Sequence, residues 1–246
     1  MSSAIPTPPG HRPASDALPP ELDRIACAAA TAGLVLRGAF HPAADDAVPA
    51  CHDGSPTRTL VLLGNVGSSL WPAFAASPEY RDGAPHPLDR WSRRVIDGLA
   101  ADCSAMPLYP FGGPPHHPFV AWARRAEPVQ ESPLGLLIHP DHGLWHAYRG
   151  ALALPRTLAL PPPDTRPRPC DICSEQPCLR ACPVGAFTGS VYDVAACTGF
   201  LATDTTARCA RGCGARHACP VGREHAYAPA HAIFLMDAFR KAHGTS

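Results

Sequence analysis

Eight cysteines lie between positions 170 and 219, and two of them sit in the same pentapeptide. Ala-Cys-Pro-Val-Gly occurs at residues 181–185 and again at residues 218–222. Thiolates are soft ligands that favour zinc, copper(I) and iron–sulfur clusters. The first run reads Cys170-x2-Cys173-x4-Cys178-x3-Cys182-Pro183, and the second reads Cys197-x11-Cys209-x3-Cys213-x5-Cys219-Pro220. Each run carries four cysteines, which matches the four iron corners of a cubane with no thiol left over. Closely spaced thiols on a tight loop wrap part of such a cluster. The remaining corner takes a ligand from elsewhere in the chain.

The doubled Cys-Pro step is similar to that of two-cluster ferredoxins, where the Cys-Pro cysteine of each run ligates the other run's cluster. On that scheme Cys170, Cys173, Cys178 and Cys219 hold one 4Fe–4S cluster. Cys182, Cys197, Cys209 and Cys213 hold the other. The proline fixes φ and carries no N–H, which turns the chain away from the cluster. The rival reading is a zinc-stabilised interaction protein with two four-thiolate sites. Only Cys170 and Cys173 have the zinc-knuckle spacing, and zinc does not call for a repeated Cys-Pro.

The elements that must position these thiols divide near residue 160. The stretch LPPPDTRPRP at residues 160–169 reads as a semi-rigid connector. Before it, residues 19–32 read as a helix opened by prolines and stopped at Gly33. Residues 34–40 and 57–64 read as strands, the second a buried one. Residues 88–102 place Leu88, Trp91, Val95 and Leu99 on one helical face. Residues 119–126 read as a short helix, and residues 134–139 and 144–154 as strands. This order does not alternate cleanly, which favours an α+β layered domain over residues 19–160. A small ferredoxin-like module follows over residues 161–246 and ends in a packing helix at residues 230–241.

The 31 prolines fall between these elements and punctuate them. Formal net charge is zero with histidines neutral. That balance argues against a protein built to coat nucleic acid or an acidic membrane. No run approaches the ~18 apolar residues of a membrane span. Residues 1–18 are rich in Pro, Ser and Ala, read as a disordered lead-in, and lack the pattern of an export signal. A cytoplasmic, reducing compartment is the expectation, which disfavours disulfides. Cys27, Cys51 and Cys103 then read as ordinary packed thiols.

The run CDICSEQPCLRACPVGAF, the block AACTGFLATD with Cys197 and Leu201, and the run GCGARHACPVG together resemble the C-terminal half of epoxyqueuosine reductases. SPLGLLIHPDHGLWHAYRGAL, residues 132–152, resembles the strand-turn-strand ahead of the clusters in those enzymes. The matching parts span roughly residues 130–225. The resemblance implies an N-terminal α+β half that holds cobalamin. It also implies two 4Fe–4S clusters that feed electrons to the cobalt for reduction of a modified base in tRNA. The eight cysteines carry over as cluster ligands. The family's acidic proton donor does not: residues 119–133 hold Glu127 and Glu131 but no Asp. The expectation is a one-electron-transfer protein that serves a redox partner protein, with tRNA disfavoured and catalytic residues unassigned. The alternative is a cobalamin- or flavin-dependent reductase that uses the clusters as an internal relay.

Other motifs read more plainly. GNVGSS at residues 64–69 is a tight turn after a strand, with a phosphate contact as its functional alternative. His116 and His117 read as solvated loop histidines. His139, His142 and His146 flank a strand pair near the expected pocket. Asp89, Arg93 and Arg94 read as ion-paired residues at a helix start. Arg208, Arg211, Arg216 and Arg223 lie among the second cysteine run, where they read equally as plain solvated arginines or as a docking site for an acidic partner, with RNA phosphate disfavoured.

Overall fold

A computed structural model describes residues 18–203 and 209–243 of the chain. The expected lead-in lies outside the described residues except for Leu18.

Pro20 opens the first helix, α1 (Pro20–Ala30), and Glu21 and Asp23 occupy its first turn, where the helix dipole favours acids. Leu22, Ile25 and Ala29 point inward. Strands β1 (Val35–Phe40) and β2 (Thr59–Val66) follow, then the short helices α2 (Trp71–Ala75) and α3 (Pro78–Arg81). Next come α4 (Pro87–Asp102), β3 (Met106–Leu108), α5 (Phe119–Ala126), the small strands β4 (Gln130–Glu131) and β5 (Leu137–Ile138), and β6 (His146–Leu154). The cysteine region holds α6 (Pro177–Arg180), α7 (Val194–Thr203) and α8 (Gly214–Ala218), and α9 (Pro229–His243) closes the described chain.

Four strands form an antiparallel sheet in the order β1-β2-β6-β3. Its central strand β2 is buried on both faces. Val61 and Leu63 meet α1 and α4 through Leu22, Ile25, Trp91 and Ile96. Leu60 and Leu62 meet α5 through Phe119 and Trp122. Alternation along a strand sends neighbours to opposite faces, so a strand covered on both sides reads as an unbroken apolar run. The fold is thus mixed α and β, with helices on both faces of a small antiparallel sheet.

Some expectations shift. The strand expected at residues 134–139 shrinks to Leu137–Ile138, because Gly135 N–H donates to Ser132 O and closes a turn there. The strand expected at residues 144–154 starts at His146, because Leu144 and Trp145 belong to the preceding turn. Helix α9 packs on the layered part: Phe234 joins Trp71, Phe74 and Tyr80.

Candidate functional site

The two Ala-Cys-Pro-Val-Gly segments fold alike at their glycines. Gly185 has φ 60° and Gly222 has φ 65°, both in the left-handed region that glycine adopts without steric cost. Backbone N–H groups around these turns point at sulfur. Ala186 N–H donates to Cys182 Sγ at 3.3 Å. The backbone amides of Val221 near Cys219, of Leu179 near Cys178, and of Ala215 and Arg216 near Cys213 pull those thiols down against the upward push of burial.

The eight thiols stand in two groups. Cys219, Cys178 and Cys173 all act electrostatically on Cys170, and Cys178 and Cys173 act on Cys219. Cys197 and Cys209 act on Cys213, and Tyr192 feels Cys197, Cys213 and Cys182. Leu134, Ile138, Leu144, Cys178, Ala215 and Cys219 form an apolar core, and Cys170, Cys182 and Cys213 pack against it. Burial pushes the Cys170 thiol up to about 11 and raises Cys178, Cys213 and Cys219 as well. Uptake of a metal at such thiols releases protons. Among the described residues, no three His, Cys, Asp or Glu side chains gather tightly enough to hold a single metal ion.

The second Cys-Pro turn is seated on the layered part, backbone against backbone. A Cβ at Gly143 would stand 2.0 Å from Val221 O, and one at Gly222 would stand 2.4 Å from the carbonyl carbon of His142. The turn at residues 139–143 therefore touches the Cys219 loop. His139, Asp141 and His142 of the same turn line a cleft of about 1190 Å³ that follows the free edge of β1. Apolar walls come from Leu22, Leu36, Leu158 and Pro161.

The polar end of this cleft is a buried network. Arg37, 2% exposed, donates to both oxygens of Glu127 at 3.0 Å, and the Tyr148 hydroxyl donates to Glu127 Oε1. Burial pushes the Glu127 carboxyl up, while Arg37 and Tyr148 pull it back. His139 Nε2 lies 3.7 Å from Glu127 Oε2. Its Nδ1 accepts the backbone N–H of Asp141 at 3.0 Å and of His142 at 3.3 Å, so the ring carries its proton on Nε2. The His142 ring stacks on His139 at 4.3 Å. His146 Nε2 donates to Leu137 O at 3.0 Å. Burial, with Arg37 and the neighbouring rings, depresses His139 to about 3, His142 to about 4 and His146 to about 2. All three are neutral at pH 7.

No protein-family model, curated protein or solved structure matches the chain.

The remaining candidates take structural places. In GNVGSS, Ser68 Oγ accepts the Ala228 N–H at 2.8 Å and pairs with His231 Nδ1 at 3.1 Å, so this turn anchors the start of α9. Asp89 binds Arg149 at 2.5 Å, Arg94 binds Glu79, and Arg93 lies over the Tyr109 ring. His117 stacks on Trp122, and His116 is exposed. Cys27 departs from the packed-thiol expectation: it is exposed, on the outer side of α1.

The arginines of the second run also divide. Arg216 is turned inward, 4.7 Å from the Trp145 ring and 4.4 Å from the Tyr227 ring, and donates to Leu144 O and the Tyr227 hydroxyl. It is not free for docking. Arg223 donates to Cys219 O and Ala218 O, Arg211 is exposed, and Arg208 lies outside the described residues.

Sequence reading passed over Arg37, Tyr148 and Tyr192. Arg37 left a signal: a lone charge inside the apolar strand LVLRGAF implies a buried partner.

Proposed function

We propose that the chain is an iron–sulfur protein whose ferredoxin-like cysteine module carries two 4Fe–4S clusters and transfers electrons one at a time. The observation that carries this reading is the grouping of the thiols: Cys219 stands with Cys170, Cys173 and Cys178, while Cys182 shares Tyr192 with Cys197 and Cys213. The donor set fits the group, being all thiol and four to a set, with Cys170, Cys178, Cys182, Cys213 and Cys219 joined in one apolar core. Cys170, Cys173, Cys178 and Cys219 would hold one cluster, and Cys182, Cys197, Cys209 and Cys213 the other. When bound, the clusters supply one-electron redox chemistry. The chain's own part is to exclude water through Leu134, Ile138 and Leu144 and to aim N–H groups at sulfur, which sets the reduction potential.

A second reading has its own support. The Cys219 turn rests on the turn that lines the cleft, so one cysteine set lies beside a cavity able to take a small molecule. A reductase that accepts cobalamin or flavin there would draw electrons inward from the clusters. An exchange with a redox partner protein would draw them outward.

The test is anaerobic purification with iron, acid-labile sulfide and zinc measured on one sample, alongside its visible and EPR spectra. About eight iron and eight sulfide per chain is the expected result. Stoichiometric zinc with negligible iron would overturn the proposal. A co-purifying corrin or flavin spectrum would decide for the reductase.

A further inference from the structure

His139 stands at the polar end of the cleft and is 6% exposed. Its Nδ1 accepts the N–H groups of Asp141 and His142, which leaves the ring proton on Nε2. Glu127 Oε2 lies 3.7 Å from that nitrogen, beyond hydrogen-bond reach. Arg37 and the Tyr148 hydroxyl hold the carboxylate there. Glu127 lines the cleft as well, so the Nε2–H opens into it, and among the described residues no hydrogen bond takes it up. Burial keeps the ring neutral at pH 7. Each arginine that lines the cleft already has a carboxylate. Arg37 has Glu127, Arg124 has Glu131, Arg125 has Asp46, and Arg166 has Asp141 and Asp164. An ionic ligand would have to break one of these pairs. The walls at Leu22, Leu36 and Leu158 are apolar, and a volume of about 1190 Å³ leaves room for a small molecule.

We propose that the cleft binds a neutral, largely apolar carbonyl compound whose oxygen accepts the His139 Nε2–H. This rests on the small-molecule reading of the cleft, which it narrows, and not on iron at the thiols. The carbonyl oxygen takes up the donor that Glu127 does not reach, while the hydrocarbon part covers the leucines. A ligand without that oxygen strips water from the N–H and returns no partner. The site therefore discriminates by the cost of a stranded donor.

The probes are 1-tetralone and tetralin, which share a bicyclic frame and differ by one carbonyl. Binding of each to the full chain, purified anaerobically, is measured by equilibrium dialysis beside His139→Asn. In that variant the side-chain oxygen still accepts the Asp141 N–H, as asparagine does in turns, but no donor stands at the Nε2 position. The expected result is that the wild type binds 1-tetralone about tenfold more tightly than tetralin. Tetralin is the more apolar of the two, so burial alone predicts the reverse order. The preference should vanish in His139→Asn. Ring N–H resonances read the same point without a variant: the His139 Nε2–H signal should move with 1-tetralone and stay with tetralin. Equal binding of the two probes, tighter binding of tetralin or no binding of either would overturn the inference. So would a preference that survives in His139→Asn, or an Nε2–H signal that 1-tetralone leaves in place. The cofactor reading of the cleft stands or falls separately, on the corrin or flavin spectrum of the purified chain.

Discussion

Replacing Gly222 with alanine, beside the same change at Gly185, tests how the Cys219 loop is seated. The two glycines occupy the same place in the same pentapeptide, with φ 65° and 60°. An L-residue in the left-handed region costs roughly 1–2 kcal/mol. At Gly185 the cost stops there, because an added Cβ meets nothing within 4 Å. At Gly222 the same Cβ stands 2.4 Å from the His142 carbonyl carbon and 2.6 Å from Gly143 N. Both are backbone atoms of a hydrogen-bonded turn, so relief requires the two turns to part. Forcing extra atoms into a packed contact adds about 1–3 kcal/mol. About 1 kcal/mol lowers Tm by roughly 2–4 °C in a chain of this size. Gly185→Ala is therefore expected to lower Tm by about 2–8 °C and Gly222→Ala by about twice as much, read by calorimetry on anaerobically purified protein. Equal losses from the two variants would refute the backbone contact between the Cys219 loop and the turn at residues 139–143.

Stability should fall with acid well above the carboxylate range. His139 and His146 have folded values of about 3 and 2, below the ordinary histidine value, so each stabilises fully above pH ~6.5 and loses that contribution as pH falls towards the folded value. At pH 5 each costs about 2 kcal/mol relative to pH 7.5, about 4 together. His142 acts in the same direction, and the raised Glu127 acts against them near the lower end of the window. A guanidinium unfolding midpoint that holds steady from pH 7.5 to 5 would contradict this. Arg216→Leu should destabilise by about 2–4 kcal/mol, from two lost ring contacts and the stranded Leu144 carbonyl. Unaltered near-UV circular dichroism and Tm would rule out that keystone role. Arg37→Met should cost about 3–5 kcal/mol by leaving Glu127 buried without its cation, and adding Glu127→Gln should recover part of the loss. Additive costs in that double-mutant cycle would mean that the pair is uncoupled.

What the sequence made legible follows from the range of the physics involved. Helices α1, α4 and α5 and strands β1 and β2 emerge within a few residues of expectation, because apolar periodicity is a local signal. Strand β3 escapes it. Met106–Leu108 is three residues long with Pro107 in the middle, tolerated because β3 is an edge strand. Helices α2 and α3 are too short to show a period, although Ser77 caps α3 by accepting the Tyr80 N–H. The nearness of Cys219 to the first run was readable from the repeated Cys-Pro step. The Arg37–Glu127–Tyr148 network was not, because Arg37 and Glu127 lie 90 positions apart and only the sheet brings them together.

The cysteine region draws half of its buried core from outside itself, which bears on whether it can stand alone. Of the six buried residues in the core that holds Cys178 and Cys219, Leu134, Ile138 and Leu144 come from the layered part of the chain. Fully burying each such side chain is worth about 1.5–3 kcal/mol. Without them, Cys178 and Cys219 lose the apolar wall that keeps water from their sulfurs. Trp145, which stacks against Arg216, and Ser68, which fastens His231, go with them. A fragment of residues 161–246 is therefore expected to lose about 5–9 kcal/mol of packing, comparable to the whole stability of an ordinary domain. It should show little cooperative unfolding and, after reconstitution with iron and sulfide, hold far less iron than the full chain. A fragment that melts cooperatively and retains the full iron complement would show instead that the core is closed by the cysteine loops themselves, with the layered part resting on it from outside.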